Sequence, residues 1–494
     1  MKREMFKKLM AVSLATAMTV GMTACGDTPA SSEQGSSETP ASSESTASSE
    51  TPASTEASSE EVEYLPVIKG ADGNPIDLGG MEIIVRDWWT SEDAWDQMAN
   101  QPETPYEVAR AEYWNWIQET YNFTIKREQI GDWGSVPQDF VDYATTGGDD
   151  KNYVFTVRED SKITGAIDAG LVYDLSTLDC LDFTEEKFTK NRLHEQFGWN
   201  GHIWAMYAGV SEPRTGVFFN EKVLKEAGIN PDDIYQMQAD GTWTWDAWTK
   251  LMDQVQRDVD GDGVIDIYGT TQNNGAMVEA LVYSNNGEFI GKENDKFVYK
   301  LENANTLEGL DFAVKILSEY TYPYPEGANW DYYKEVFKNG LAAFMPEDAY
   351  NITGMCKDYE FKYGYVMIPK GPQASDYTNR WSNNPALLPA CYDADRAWKI
   401  AFAWNLFTDD VPGYEGYDSQ IENYMKAAPD LRIAEETCVM QTEKGMVTWG
   451  GVVPNVNMGP DLIWNITAGA VVSEKVEAIR DTWKAYIDDA NAKK

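Results

Sequence analysis

The chain has 494 residues, room for two or three domains at about 150 residues each, and 43% of them are hydrophobic, enough to fill a sizeable core. Against 40 Lys and Arg stand 81 Asp and Glu, a formal net charge of −41, and such a surface repels a phosphate backbone, which excludes nucleic acid as a partner. Only His194 and His202 are present, which argues against a multi-His metal site and a His-based catalytic centre, whereas 18 Trp and 27 Tyr exceed what packing demands. Some of those rings are expected to touch a ligand.

Lys2, Arg3, Lys7 and Lys8 open the chain as a basic stretch, and an apolar run from Leu9 to Met22 follows. That is the length of a secretory h-region and too short for a membrane-spanning helix. The next words, Met22-Thr23-Ala24-Cys25, put small residues before a Cys, as a lipobox does. The expectation is a lipoprotein signal peptide over 1–24, whose removal leaves Cys25 as a diacylated N-terminus on the extracellular face of the cell membrane (periplasmic where an outer membrane exists). The alternative is an ordinary signal peptide cut at Ala24. Residues 25–60 are mostly Ser, Thr, Glu, Ala and Pro, with the near-repeats SSETPASSE and SSETPASTE. That composition builds no packed core and is expected to be a disordered tether.

Order is expected from about Tyr64. Met81 to Trp89 reads as a buried strand with a polar, aromatic tip, Tyr106 to Tyr121 as a helix, and Phe123 to Glu128 as a second strand. A helix over Gln138–Ala144 and a strand over Tyr153–Arg158 follow. Strands alternating with helices predict an α/β domain with a largely parallel sheet, whose ligands gather at the strands' carboxyl ends. Those ends carry Asp87, Trp88, Trp89, Glu128, Arg158 and Glu159. A second α/β run is predicted from Trp204–Tyr207 onward: a strand at Val217–Asn220, a helix over Glu221–Ala227, and a helix over Trp245–Arg257 capped by Thr244. Short strands at Gly340–Met345 and Gly364–Ile368, a helix over Trp398–Phe407 and an amphipathic helix over Ser473–Ala490 complete the series. Trp243, Trp245, Trp248, Trp398 and Trp404 fall at helical spacing and are assigned to the core.

Asp258-Val-Asp-Gly-Asp-Gly-Val-Ile-Asp266 matches the first nine positions of an EF-hand-type calcium loop. Asp258, Asp260 and Asp262 fill positions one, three and five; the Val264 carbonyl supplies the seventh and Asp266 the ninth. Position twelve is Gly269, so the bidentate Glu is missing. Four carboxylates in nine residues repel one another without a cation, which favours structural Ca2+ over a solvated turn. Cys180, Cys356, Cys391 and Cys438 fit no zinc spacing; one disulfide and free buried thiols both remain open.

Five local patterns resemble family 1 extracellular solute-binding proteins, the group that includes maltose-binding protein. They are Val217-Phe-Phe-Asn-Glu-Lys-Val-Leu-Lys-Glu-Ala-Gly-Ile229, Trp243-Thr-Trp-Asp-Ala-Trp248, Phe337-Lys-Asn-Gly-Leu-Ala-Ala-Phe-Met345, Tyr365-Val-Met-Ile-Pro-Lys-Gly-Pro372 and Ala397-Trp-Lys-Ile-Ala-Phe-Ala-Trp404. Each is weak alone; their order, spread from about Met81 to the C-terminus behind a lipobox and tether, carries the resemblance. It implies a two-lobed, type II periplasmic-binding-protein-like fold, each lobe a mixed, mostly parallel sheet flanked by helices. The lobes are expected at 64–209 with 370–435 and at 210–369 with 436–494, closing by hinge motion. It further implies a monomeric receptor that delivers a carbohydrate, expected to be an oligosaccharide, to the permease subunits of an ABC importer.

Sugars present C–H faces to aromatic rings and hydroxyls to Asp, Glu, Asn and Arg. The candidate ligand residues are Asp87, Trp88, Trp89, Trp133, Arg158, Glu159, Glu212 and Arg214, with Glu347, Tyr350, Trp381 and Asn383. Tyr350 stands where the family commonly places a stacking ring, although the usual Gly-Ser/Pro-Trp is absent. A secreted lipoprotein glycosidase is the competing reading, since hydrolysis needs a carboxylate pair and this chain has many carboxylates. A receptor for a peptide or polyol is the third. No local catalytic signature and no P-loop occur in the sequence.

Overall fold

The computed structural model describes residues 66–493 apart from 159, 160 and 273; the signal segment, Cys25, the whole tether and Glu159 lie outside the described residues. Strand β1 (Met81–Asp87) buries Ile83, Ile84 and Val85 and pairs in parallel with β2 (Phe123–Gln129) and β3 (Asn152–Thr156). Helix α1 (Pro105–Tyr121) joins β1 to β2. Thr104 starts it with a capping box completed by Glu107, and Pro105 has no N–H to leave unsatisfied. Its Tyr113, Trp114, Ile117 and Tyr121 face the core. Each such buried side chain contributes about 2 kcal/mol of transfer free energy.

The second sheet forms around β4 (Thr215–Asn220), buried along its whole length. Asn220 ends β4 and caps the next helix, its side chain accepting from the Lys222 and Val223 amides. Helix α2 (Trp245–Val255) is capped by Thr244, and Trp243, Trp245 and Trp248 are buried. Strand β5 (Tyr268–Thr270) pairs in parallel with β6 (Ala342–Asp348), which follows helix α3 (Tyr332–Lys338). Strand β4 is antiparallel to both β6 and β7 (Tyr363–Met367), giving the order β7-β4-β6-β5. Residues 386–387 return as β8, antiparallel to β3, and the first sheet reads β8-β3-β1-β2.

The chain passes between the two sheets three times. Met206 pairs with Ala386 through two backbone hydrogen bonds of 2.8 and 3.1 Å, and the first passage runs from there to β4. Residues 204–207 therefore belong with the first sheet and do not open the second. The return passage ends at β8. The third leaves helix α4 (Ala394–Phe407), which packs on the first sheet, and runs through helix α5 (Ser419–Ala427) to a π-helix over Ile433–Cys438. There Thr437 Oγ1 donates to the Tyr365 carbonyl on β7 at 2.8 Å. The four described cysteines are unpaired thiols.

Candidate ligand site at the lobe crossings

The three passages are tied together at Arg214, just before β4. Its guanidinium pairs with Glu212 at 3.1 Å and with Asp348 at the end of β6 at 3.7 Å, and donates to the Ser382 carbonyl at 3.1 Å. Thr215 Oγ1 donates to the other Asp348 oxygen at 2.7 Å. Asn383 Nδ2 donates to Ser211 Oγ at 3.0 Å. From the third passage Gln420 donates to Glu212 at 3.4 Å, and Gln441 donates to the Arg214 carbonyl at 2.8 Å. Each of the three connecting segments thus supplies a side chain or carbonyl to one polar knot. Burial pushes the Glu212 carboxyl above the ordinary carboxylate range; Arg214 opposes that shift and Asp348 adds to it.

Glu347 and Asp348 are neighbours with opposite surroundings, as strand pleating requires. Glu347 is buried, accepting from Tyr333 of α3 at 2.6 Å and from the Asp348 amide at 2.9 Å. Burial, then the charge of Asp348, holds its pKa above the usual range. Tyr350 follows on a 3-10 turn and is 43% exposed, a ring open to a ligand beside these carboxylates.

On the first sheet Asp87 is buried, with its oxygens engaged in the turn after β1: they accept from the Trp89 amide at 3.1 Å, the Thr90 amide at 2.9 Å and the Thr90 hydroxyl at 2.8 Å. It therefore positions Trp88 and Trp89 and does not present a free carboxylate. Those two rings meet edge to face with centroids 4.6 Å apart; Trp88 is partly buried and Trp89 is exposed. Trp133 is exposed, with the Arg158 guanidinium over its ring at 4.2 Å. The amide of Val157, beside Arg158 in the chain, donates at 3.0 Å to the carbonyl of Pro385, two residues after Asn383. Trp381 is half-buried and donates from Nε1 to the Thr442 carbonyl at 3.3 Å.

Tyr207 joins the two sets. Its phenol is pushed up to about 12, first by loss of water and then by the charge of Glu212, while Arg214 and Arg127 act the other way. Arg127 stands 4.0 Å from Asp87. Ion pairs and hydrogen bonds thus join Glu212, Arg214, Asp348 and Ser382–Asn383, and Tyr207 connects this knot through charge to Arg127 and so to Asp87, while Trp381 is held by Thr442 and Trp133 by Arg158. The sequence reading takes in Asp348 only as part of the stretch Glu347–Tyr350 and passes over Gln420, Gln441 and Tyr207. Only Asp348, adjacent to Glu347 at a strand end, carried a signal.

The Asp258–Asp266 loop stands apart, between α2 and β5. Carboxylate oxygens of Asp258, Asp260 and Asp262 lie within 4.8 Å of one another. Asp258 accepts from the Gly261 amide at 2.6 Å and the Gly263 amide at 2.7 Å, and both glycines take positive φ, 79° and 90°. Those two amides hold the Asp258 carboxyl below its ordinary range. Asp266 accepts from the Val259 amide at 2.7 Å, closing the loop above an Arg257–Ile267 bridge.

A family model described as Bacterial extracellular solute-binding protein matches residues 95–401, more than half of the chain. An arabinooligosaccharide-binding protein of Bacillus subtilis (strain 168) is 28% identical over 176 residues, 35% of this chain; the match spans only 36% of that relative's length. Among solved structures, a cyclic alpha-maltosyl-1,6-maltose binding protein from Arthrobacter globiformis superposes over 83% of this chain and all of its own, with a TM-score of 0.59 at 14% identity. An ABC substrate-binding protein from Listeria monocytogenes in complex with cycloalternan covers 84% of this chain and 98% of its own, with a TM-score of 0.51 at 16% identity. UgpB from Mycobacterium tuberculosis, in complex with glycerophosphocholine, covers 83% and 99%, with a TM-score of 0.53 at 15% identity. At such identities the structural matches establish the two-lobed fold, and the sequence match establishes the rest: the chain belongs to the bacterial extracellular solute-binding proteins.

Proposed function

We propose that this chain is a lipid-anchored receptor that binds an oligosaccharide between its lobes and passes it to an ABC permease, without chemical change. The observation that carries the reading is Arg214, held by Glu212 and Asp348 where all three passages meet, with the rings of Trp89, Trp133 and Tyr350 exposed at the sheet ends. Such a group offers fixed donors and acceptors to hydroxyls and flat faces to C–H bonds. We assign 64–209 with 370–435 to one lobe and 210–369 with 436–494 to the other. The name of the Bacillus subtilis relative supports a sugar ligand. The glycosidase reading is the weaker one, because Glu212 and Asp348 are both engaged by Arg214 and Glu347 is shut away beneath Tyr333.

The test is calorimetry and Trp fluorescence against mono- and oligosaccharides, peptides, polyols and glycerophosphodiesters, followed by chromatography of the ligand. Saturable binding of an unaltered sugar is expected. Release of shorter sugars makes the protein an enzyme, and a response confined to the other classes replaces the sugar. Among the described residues no helix is long and apolar enough to cross a membrane. The proposed anchor rests on Cys25, which follows the apolar run Leu9–Met22: in fractionated cells Cys25→Ala is expected to move the receptor from the membrane to the soluble fraction. Retention in the membrane pellet at high salt removes the lipid from the reading.

We also propose that the Asp258–Asp266 loop binds calcium structurally, the converging carboxylates being the support. At calcium one hundred times its Kd the folded state gains about 2.7 kcal/mol by mass action. Melting in calcium is expected to exceed melting in chelator, and Asp258→Ala is expected to abolish the difference. Equal melting, with no metal by elemental analysis, leaves a solvated turn. Magnesium is expected to substitute poorly, since it demands tighter octahedral geometry.

A further inference from the structure

Away from the polar knot, the halves assigned above as lobes meet along a second seam. Its centre is the run 446–456, which leaves the second passage where Arg380 and Met446 pair in parallel. The Thr164 hydroxyl, on the helix Ser161–Asp168 of the first lobe, donates to the Val452 carbonyl. Gln196 Nε2, on the short helix Leu193–Gln196, donates to the Thr448 carbonyl at 2.8 Å. Thr164, Gln196, Thr448 and Val452 are all buried. The second lobe also reaches back through its hairpin, Ile290–Glu293 with Lys296–Tyr299. There Lys292 Nζ donates to the Gly198 carbonyl at 3.2 Å and the Glu195 carbonyl at 3.4 Å, while pairing with Asp295 of its own hairpin at 3.5 Å. The same ammonium lies 4.9 Å from the centroid of Trp449, whose ring meets Phe297 of the hairpin. At the exposed edge Lys493 pairs with Asp168 at 3.3 Å.

The seam has the chemistry of a contact that can part. Its buried hydrogen bonds run from side chains to carbonyls, and among the described residues no β-ladder joins the two four-stranded sheets. When the halves separate, donor and acceptor both recover water, so each bond is lost at small net cost. The apolar part favours contact: Ile163, Leu193 and Phe197 of the first lobe lie in one buried cluster with Val452 and Val453 of the second. That burial is gained only while the halves touch. A contact present in the shut form and absent from the open one shifts the balance between them by its own free energy, whatever the ligand contributes.

We propose that residues 446–456 and the Lys292 hairpin form a latch, which grips the first lobe as the hinge shuts and so sets how long a ligand is held. This rests on the lobe division and the receptor reading, and adds to them a contact that opposes opening. The first test is small-angle X-ray scattering of the purified ligand-free chain, with melting, on wild type, Gln196→Ala/Lys292→Ala and Lys484→Ala. Lys484 pairs with Glu302 and lies over Tyr299 within one lobe, and controls for the loss of a lysine that does not cross the seam. The double variant is expected to show a larger radius of gyration than wild type with little change in melting temperature, because each sheet keeps its own core. Lys484→Ala is expected to match wild type in radius. An unchanged radius in the double variant overturns the latch; if its melting temperature also falls clearly, the seam is fixed core and the lobe division fails with it. The second test is release of maltotetraose and arabinotriose, followed by Trp fluorescence in stopped flow. Release from the double variant is expected to be roughly tenfold or more faster, with association within about twofold of wild type. Equal release rates overturn the latch. If wild type binds neither sugar, the sugar reading fails, and scattering still decides the latch.

Discussion

Arg214→Ala is expected to weaken ligand binding roughly 100-fold or more, as truncating one member of a desolvated, hydrogen-bonded charge group does. Three acceptors lose a partner at once, Glu212, Asp348 and the Ser382 carbonyl, and the two carboxylates keep only the neutral donors Gln420 and Thr215. Glu212 and Asp348 then repel each other across the point where the passages meet. The folded state is expected to lose about 3 kcal/mol as well, because both carboxylates remain mostly shielded from water. The pH dependence gives an independent readout. The Glu212 pKa is already raised in the folded protein, so folding takes up protons, and stability falls as pH rises from the ordinary carboxylate value toward the raised one. Removing Arg214 removes the main influence that lowers this pKa, so the decline is expected to steepen and extend to higher pH. Arg214→Lys keeps the charge but not the fork, and is expected to recover part of the stability and little of the binding. Unchanged affinity in Arg214→Ala, with a folded protein, takes the ligand site away from this group.

Much of the scaffold was legible because local chemistry and tertiary role agreed. The strand at Met81, the helix ending at Tyr121 and the Thr244 cap each follow from apolar periodicity with a start or stop signal, and the structure has them within a few residues. The helix ending at Phe407 begins at Ala394, four residues before its first Trp, because Asp393 caps it by accepting from the Arg396 amide. The helix over Ala304–Glu319 and the hairpin of Ile290–Glu293 with Lys296–Tyr299 were not read at all. The site was half legible for a different reason. Sequence gives the residue types at strand ends, but not which oxygens the backbone has already taken. Asp87 looks like a ligand group and is consumed by its own turn. Gln420 and Gln441 carry no local motif. They reach Arg214 and Glu212 only because the third passage returns beside the first, a contact more than two hundred residues long in sequence.

The larger loss of stability is expected from a single methyl group on β4. Gly216 is buried in mid-sheet, opposite Glu347 on β6 and Met367 on β7. A Cβ there would stand 2.5 Å from the Val366 carbonyl oxygen and 2.6 and 2.7 Å from the ring carbon and hydroxyl of Tyr365. The backbone oxygen has no rotamer to move to, and Tyr365 is fully buried. Its hydroxyl donates to the Arg214 carbonyl at 2.7 Å and accepts from Gln441 at 3.1 Å. Gly216→Ala must therefore spread the strands and break the bonds that fix the chain at Arg214. Overpacking and the lost hydrogen bonding together give about 4 kcal/mol. Gly165→Ala is the control, since its Cβ would meet nothing within 4 Å on a helix, where Ala is favoured over Gly by about 1 kcal/mol. Urea denaturation is expected to show Gly216→Ala far below wild type and Gly165→Ala at or slightly above it. Because Tyr365 links the sheet to Arg214, the surviving folded Gly216→Ala protein is also expected to bind sugar less tightly. Tyr365→Phe combined with Gly216→Ala is expected to cost less than the sum of the two, since removing the hydroxyl relieves one of the clashes. A wild-type urea midpoint for Gly216→Ala would mean that β4 and β7 have more slack than their register implies, and that the link from sheet to site is not rigid.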